Sequence, residues 1–168
     1  MDKLKKWLEV AANVAILCVC VLIAVVGVKR YILPASVSAL SAPSAGTHLS
    51  VPGVDWSHSK RTLVMVLSTQ CHFCSESAEF YKRLLPEASL RGTQIVAVLP
   101  QSPEESRQYL TNLGLTTSNV TIQQEGATGI RVSGTPTLIL ADNKGSVIRA
   151  WPGKLAPKGE AEVLGEIR

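Results

Sequence analysis

An uninterrupted apolar run near the N-terminus is the feature that most limits how this chain can fold. Residues 11–28 read AANVAILCVCVLIAVVGV, and Asn13 is the only polar side chain among them. A helix of roughly 17–25 such residues crosses a bilayer, and Trp7 and Tyr31 flank the run where interfacial aromatic residues are found. The run is also longer than the apolar region of a signal peptide. We therefore expect residues 1–33 to form a cytoplasmic tip and a transmembrane anchor, with a cleaved signal peptide as the alternative.

The basic residues around the run indicate its orientation. Three lysines lie within the first six residues of the chain, whereas only Lys29 and Arg30 follow the run directly. Since positively charged flanks tend to stay in the cytoplasm, we expect the rest of the chain outside the cytoplasmic membrane, in the periplasm. Cys18 and Cys20 lie inside the run, where a thiol stays protonated and behaves as a small apolar side chain.

Residues 34–53 have the composition of a linker. They contain three Pro, five Ser, four Ala and two Gly, and no charged residue. This composition is typical of a flexible, partly extended tether. Residues 31–168 carry 12 basic and 11 acidic side chains, without a cluster of Lys or Arg. Such a nearly neutral chain gives no support to nucleic-acid binding.

Residues 54–168 carry the alternating pattern of a compact α/β domain. Short, continuously apolar runs predict buried strands, and amphipathic or capped segments predict helices. The predicted strands are residues 62–68, 94–99, 120–123, 137–141 and 147–151, and the predicted helices are residues 73–90, 102–112 and 157–167, with a turn of helix at 126–132. Pro86 should kink the first helix or end it early. The last two strands form a hairpin, and we expect a central mixed β-sheet with helices on both faces.

Two cysteines, Cys71 and Cys74, follow the first predicted strand at a spacing that admits several chemistries. A structural disulfide across so short a loop gains little stability. A structural zinc site needs four ligands, and only His48 and His58 are candidates for the other two. Covalent haem attachment needs a histidine directly after the second cysteine, where Ser75 stands. Redox chemistry is the interpretation that this pair favours.

The redox interpretation has a defined mechanism. Backbone N–H groups at the start of a helix favour a thiolate at Cys71, which would attack the disulfide of a partner. Cys74, one helical turn later, is placed to resolve the mixed disulfide by attacking the sulfur of Cys71. The redox-active disulfide Cys71–Cys74 would then be the only redox group, with no other cofactor and no metal.

A second motif, Ser-Gly-Thr-Pro-Thr at residues 133–137, opens the predicted hairpin. Pro136 stands at the mouth of a buried strand, where it cannot donate to the ladder. A cis bond before it would leave the backbone of Thr135 free to pair with an extended substrate. An ordinary trans proline that starts a strand is the commoner alternative.

Together the two motifs resemble the thioredoxin superfamily over residues 54–168. The chain is most similar to the membrane-anchored or exported bacterial thiol–disulfide oxidoreductases. The resemblance implies a thioredoxin-like fold, with Cys71 as the nucleophile and Cys74 as the resolving thiol. It also implies that Pro136 is a cis-proline packed against the disulfide, and that Thr135 contacts the substrate and tunes the redox potential.

The sequence departs from the family pattern near the cysteines. Residues 68–70 (STQ) replace the tryptophan that commonly precedes the first cysteine, and the first strand, around Met65, lacks the buried acid of thioredoxin. His72, between the cysteines, would either stabilise the Cys71 thiolate or only shape the substrate surface. For Phe73 we expect a packing or docking role.

These observations predict a membrane-tethered thiol–disulfide oxidoreductase that acts on protein thiols and disulfides. A reductase is favoured, because anchored relatives are often reductases supplied with electrons by a membrane partner. A disulfide-donating oxidase would use the same residues. Two further alternatives are a Cu(I)-binding metallochaperone that uses the cysteine pair and a peroxiredoxin-like peroxidase. The peroxidase pattern is met at Ser68, but Val64 stands where its proline would be.

Overall fold

A computed structural model describes residues 7, 14–17, 19–21 and 41–167 of the chain. Within this part of the chain, no helix is both long enough and apolar enough to cross a membrane. Most of the predicted anchor, residues 1–33, and residues 34–40 of the predicted linker lie outside the described residues. The chain divides into two compact units, and the fold given below is that of the second, Leu40–Arg168.

The centre of this unit is a five-stranded mixed β-sheet. Its strands are β1 (Arg61–Val66), β2 (Gln94–Leu99), β3 (Val120–Gln124), β4 (Thr137–Asp142) and β5 (Val147–Pro152). They lie in the order β3-β2-β1-β4-β5. β1, β2 and β3 are parallel to one another, whereas β4 is antiparallel to both of its neighbours. Each strand was predicted from its apolar run to within two residues of its observed ends.

Four helices connect or follow these strands. They are α1 (His72–Glu76), α2 (Ala78–Leu90), α3 (Pro103–Asn112) and α4 (Pro157–Glu166), with short 3-10 turns at Trp56–His58 and Glu125–Ala127. The start of α3 is a complete capping box, in which Ser102 and Glu105 bond each other's backbone N–H groups. The predicted fold, a central mixed sheet flanked by helices in the thioredoxin-like manner, is confirmed.

The helices lie on one face of the sheet, which corrects the expectation of helices on both faces. Residues of α2, α3 and α4 all join the core cluster that holds Leu63 and Met65 of β1. The physical reason is the direction of the crossovers. From β1 to β2 and from β2 to β3 the chain steps the same way along the sheet. Because crossovers between parallel strands are almost always right-handed, the helices of both connections fall on the same side.

The opposite face is covered by irregular chain that the sequence placed in the flexible linker. Leu49 and Val51 are only 3% and 5% exposed, and they pack with Val64 and Val66 of β1. Backbone hydrogen bonds also tie this segment to the hairpin, for example from the N–H of Leu49 to the carbonyl of Gly145 at 2.8 Å. From residue 41 onward, therefore, the predicted linker of residues 34–53 belongs to the compact unit.

The long predicted helix at residues 73–90 differs from the structure at two points. It is divided at Ser77, which caps the end of α1 and the start of α2. It also continues through Pro86 to Leu90 instead of ending early. Pro86 lies on the exposed side, while Leu85 and Ala88 beside it stay buried, so packing on the sheet outweighs the one backbone donor that proline lacks. The predicted helical turn at 126–132 is reduced to the 3-10 turn Glu125–Ala127.

Candidate active site

The register of the sheet brings the two sequence motifs together. β1 and β4 are antiparallel neighbours, and Val66 at the end of β1 lies opposite Thr137 at the start of β4. The loop that leads from β1 to Cys71 therefore emerges beside Pro136. Residues that are far apart in the sequence therefore form one site, where β1 ends and β4 begins.

Cys71 is the N-cap residue of α1, and its sulfur has two close polar partners. The backbone N–H of Cys74 donates to the Cys71 Sγ at 3.1 Å, in the place that a serine or aspartate oxygen takes in other caps. The Cys71 S–H in turn donates to the carbonyl of Thr135 at 3.2 Å. The side chain is half-buried, so solvent reaches it.

Cys74 has the opposite environment. It is fully buried, with 0% exposure, in the core cluster between the helices and the sheet. Burial raises the pKa of the Cys74 thiol to about 12, and the hydrogen bond with Cys71 adds to the rise. Hydrogen bonds with the Ser68 backbone and the Thr135 side chain act in the other direction. Both cysteines are free thiols here, so the structure represents the dithiol form.

The peptide bond between Thr135 and Pro136 is cis, as the family resemblance implied. Pro136 is buried, and its carbonyl accepts a hydrogen bond from the N–H of Gly153 at 2.7 Å. Thr135 touches both cysteines, since its carbonyl faces the Cys71 sulfur and its side chain faces the Cys74 sulfur. The two cysteines of the first motif therefore lie next to Thr135 and Pro136 of the second motif.

His72 and Phe73 form the outer surface of the site. The His72 side chain is 80% exposed, and Phe73 is 55% exposed, which is high for a phenylalanine. Their ring centroids lie 6.0 Å apart in a tilted arrangement. A large apolar side chain left open next to a reactive sulfur is suited to contact with another protein.

Two charged residues near His72, Glu76 and Lys154, were not predicted from the sequence as residues of the site. The Glu76 carboxylate lies 3.0 Å from the His72 Nε2, and the Lys154 Nζ lies 2.9 Å from the other carboxylate oxygen. The hydrogen bond from Lys154 is the main cause that lowers the pKa of Glu76. The helical i, i+4 spacing of His72 and Glu76 could have indicated the first contact. No local sequence pattern could have indicated the contact of Lys154, because this residue follows β5 and lies 78 positions after Glu76.

Two tyrosines lie near the buried thiol of Cys74. Tyr81 is 1% exposed, and burial raises its pKa. Tyr109 on α3 is partly buried, which raises its pKa as well, and its hydroxyl lies 3.3 Å from the Ser75 Oγ. Both phenols are close enough to Cys74 for its charge to affect their pKa values. The sequence pattern showed Tyr81 only as a core residue of the helix.

The other candidate ligands and side chains lie elsewhere. His58 precedes β1 and Cys71 follows it, so a strand of about 20 Å separates them. No group of three or more His, Cys, Asp or Glu side chains that could hold a metal ion occurs among residues 41–167 or the few described residues before them. The Ser68 hydroxyl, on which the peroxidase alternative depends, accepts the N–H of Gln70 at 3.3 Å.

Comparison with known proteins places this geometry in context. The sequence profile of the thioredoxin-like domain matches residues 57–167, which is most of the compact unit. Among curated proteins, no sequence matches significantly.

Several solved bacterial structures share the fold. A protein from Chlorobium tepidum assigned as the thiol:disulfide interchange protein DsbE is 20% identical, with a TM-score of 0.53 over 77% of this chain and 96% of its own. A protein from Neisseria meningitidis assigned as a thioredoxin is 20% identical, with a TM-score of 0.54 over 74% and 91%. A thiol-disulfide isomerase from Corynebacterium glutamicum is 19% identical, with a TM-score of 0.51 over 76% and 92%. At these identities the likeness is one of fold.

Proposed function

Because the chain belongs to the family of thioredoxin-like domains, we propose that it is a thiol–disulfide oxidoreductase that works through Cys71 and Cys74. The proposal rests on the different environments of the two cysteine sulfurs. Cys71 is reachable from solvent and accepts a backbone N–H, whereas Cys74 is fully buried and has its pKa raised to about 12. The neighbours described as an interchange protein and an isomerase support the same enzyme class.

The reaction proceeds in two steps of thiol–disulfide exchange. In the first step the Cys71 thiolate attacks one sulfur of the client's disulfide, and the client's other sulfur leaves as a thiolate and takes up a proton. A mixed disulfide then joins Cys71 to the client. In the second step Cys74 loses its proton and attacks the Cys71 sulfur, which releases the client's second thiolate. Two electrons pass to the client, and the Cys71–Cys74 disulfide remains.

The contacts of Thr135 serve both steps. While Cys71 is protonated, the Thr135 carbonyl accepts its S–H at 3.2 Å. Once Cys71 is deprotonated, that carbonyl is free to accept a backbone N–H of the bound client, in the manner of an added strand. The Thr135 side chain lies close enough to Cys74 to lower the pKa of its thiol, and so favours the thiolate that the second step needs.

The enzyme acts as a reductase, held by an N-terminal anchor with its domain on the periplasmic side of the cytoplasmic membrane. The apolar run of residues 11–28 and the charges around it support the anchor and its orientation. Its partners are protein thiols and disulfides, together with a membrane electron donor that restores the dithiol. The direction rests on the resemblance to anchored reductases, and an oxidase that donates its disulfide is the alternative.

The reduction potential of the Cys71–Cys74 pair tests both the class and the direction. We would equilibrate the full chain in detergent micelles with glutathione or dithiothreitol buffers and measure the oxidised fraction. A potential near that of thioredoxin, roughly −270 mV, supports a reductase, and a value near −120 mV supports an oxidase. A chain without any two-electron transition is not an oxidoreductase, and Cu(I) titration of the reduced protein would then test the metallochaperone alternative.

A further inference from the structure

A single carboxylate stands between an imidazole and an ammonium at the rim of the candidate active site. Glu76, the last residue of α1, has one oxygen 3.0 Å from the His72 Nε2 and the other 2.9 Å from the Lys154 Nζ. His72 is the residue directly after Cys71. The three side chains therefore form a connected row, whose histidine directly follows Cys71 in the chain and whose lysine comes from a distant part of the sequence.

Lys154 is held in this place by the backbone that carries it. The preceding residue, Gly153, donates its N–H to the carbonyl of Pro136 at 2.7 Å. The segment after β5 thus contacts the cis-proline loop through its backbone and the cysteine-bearing helix through its side chain. The side chain of Lys154 is 46% exposed and that of Glu76 is 36% exposed, so both are partly shielded from solvent. The hydrogen bond from Lys154, followed by the charges of Lys154 and His72, holds the pKa of Glu76 below its usual range, so the carboxylate is ionised near neutral pH.

We propose that Glu76 is a positioning residue that orients the His72 imidazole and places a negative charge against it, and that Lys154 limits this effect by sharing the same carboxylate. The proposal rests on the proposed function and deepens it. An imidazolium next to Cys71 stabilises the thiolate and hence the dithiol form, which makes the Cys71–Cys74 disulfide more oxidising.

The direction in which the reduction potential changes distinguishes this role from direct charge repulsion between Glu76 and the Cys71 thiolate. Acting directly through space, the negative charge of Glu76 disfavours a thiolate at Cys71, so its removal would raise the reduction potential. Acting through His72, the same charge favours the thiolate, so its removal would lower the potential. For Lys154 the two signs are reversed. Within the described residues, the charged group in contact with His72 is Glu76, with Lys154 beyond it, and Cys71 is the preceding residue in the chain.

The test is a double-mutant cycle on the reduction potential of the full chain in detergent micelles. Wild type, Glu76→Gln and Lys154→Met are equilibrated with glutathione at pH 6.5 and pH 8.5, each with His72 present and with His72→Ala. At pH 6.5 we expect Glu76→Gln to shift the equilibrium constant about threefold toward the disulfide and Lys154→Met to shift it about threefold toward the dithiol. Both shifts should vanish with His72→Ala and fade at pH 8.5, where an imidazole is neutral.

Glu79→Gln is the matched control, because Glu79 is an exposed carboxylate close by on α2 that pairs with Lys82 at 2.7 Å. It should leave the equilibrium constant unchanged. Shifts of the opposite sign, or shifts that persist with His72→Ala, overturn the role of Glu76 while the proposed function stands. A wild-type transition that neither Glu76→Gln nor Lys154→Met alters overturns it as well. If the wild type shows no two-electron transition, the proposed function itself fails.

Discussion

At the scale of single residues, the two cysteines have separate tasks that a serine at each position can distinguish. Cys71→Ser removes the attacking sulfur and should abolish exchange, whereas Cys74→Ser keeps the attack but removes the resolving thiol. The second variant should therefore accumulate a mixed disulfide with its client. Non-reducing gel electrophoresis after incubation with a disulfide-bonded client such as insulin measures both effects. Full turnover by Cys74→Ser would show that the roles are assigned wrongly.

The burial of Cys74 also makes the stability of the reduced protein depend on pH. The pKa of its thiol is raised from 9.0 to about 12 in the folded chain, mainly by burial. The unfolded chain releases this proton first as the pH rises, so the stabilisation is complete below pH 9 and is lost progressively toward pH 12. Between pH 8 and 10.5 we expect the free energy of unfolding to fall by about 1–2 kcal/mol more in reduced wild type than in Cys74→Ala. Urea denaturation measures this difference, and parallel pH profiles would contradict it.

The sequence allowed the cysteine pair and the proline to be predicted as site residues, because their chemistry is carried by short local motifs. Cys71 and Cys74 share one helical turn, and Pro136 opens a strand whose apolar run is visible. The neighbours of these residues could not be predicted in the same way. Lys154 reaches Glu76 through the arrangement of β5 and α1, and no spacing in the chain records that contact.

At the scale of elements, the segment before the first strand belongs to the domain, and a core substitution can show this. Leu49→Ala should lower the free energy of unfolding by about 2–4 kcal/mol, because Leu49 is 3% exposed against the sheet. Ser50→Ala, at the exposed neighbouring position, is the control and should change stability by less than about 0.5 kcal/mol. Thermal or urea unfolding of the two variants gives the comparison. Equal stabilities would mean that residues 41–53 are a linker after all.

The elements themselves were predicted well, and the errors have two physical sources. Strands and helices follow from local apolar patterns, so β2 was predicted with its observed ends at Gln94 and Leu99. The end of a helix depends also on packing, which carries α2 through Pro86. Which residues cover the second face of the sheet depends on contacts between parts of the chain that are far apart in the sequence. Leu49 and Val51 are two apolar residues in a stretch of Ser, Pro and Ala, and the composition of that stretch conceals them.

At the scale of the whole molecule, the proposed orientation places the reactive thiol on the periplasmic side. A membrane-impermeant maleimide added to intact spheroplasts that express the protein should label Cys71, which is half-buried and reachable. Cys71→Ser is the control, since Cys74 is 0% exposed and should remain unlabelled. If labelling requires lysis of the cells, the domain lies in the cytoplasm and the proposed localisation is wrong.

The one-sided arrangement of the helices determines where the domain can be cut from the rest of the chain. Among residues 41–167, irregular chain before β1 and a loop near Ile130 shield the second face, which includes Val64 and Val66. A fragment that starts at residue 54 would expose this face to water, and we expect it to self-associate through the uncovered apolar strands. A fragment that starts at residue 41 retains the shield and should stay monodisperse. Solubility of the isolated domain is thus decided by thirteen residues whose composition resembles that of a spacer.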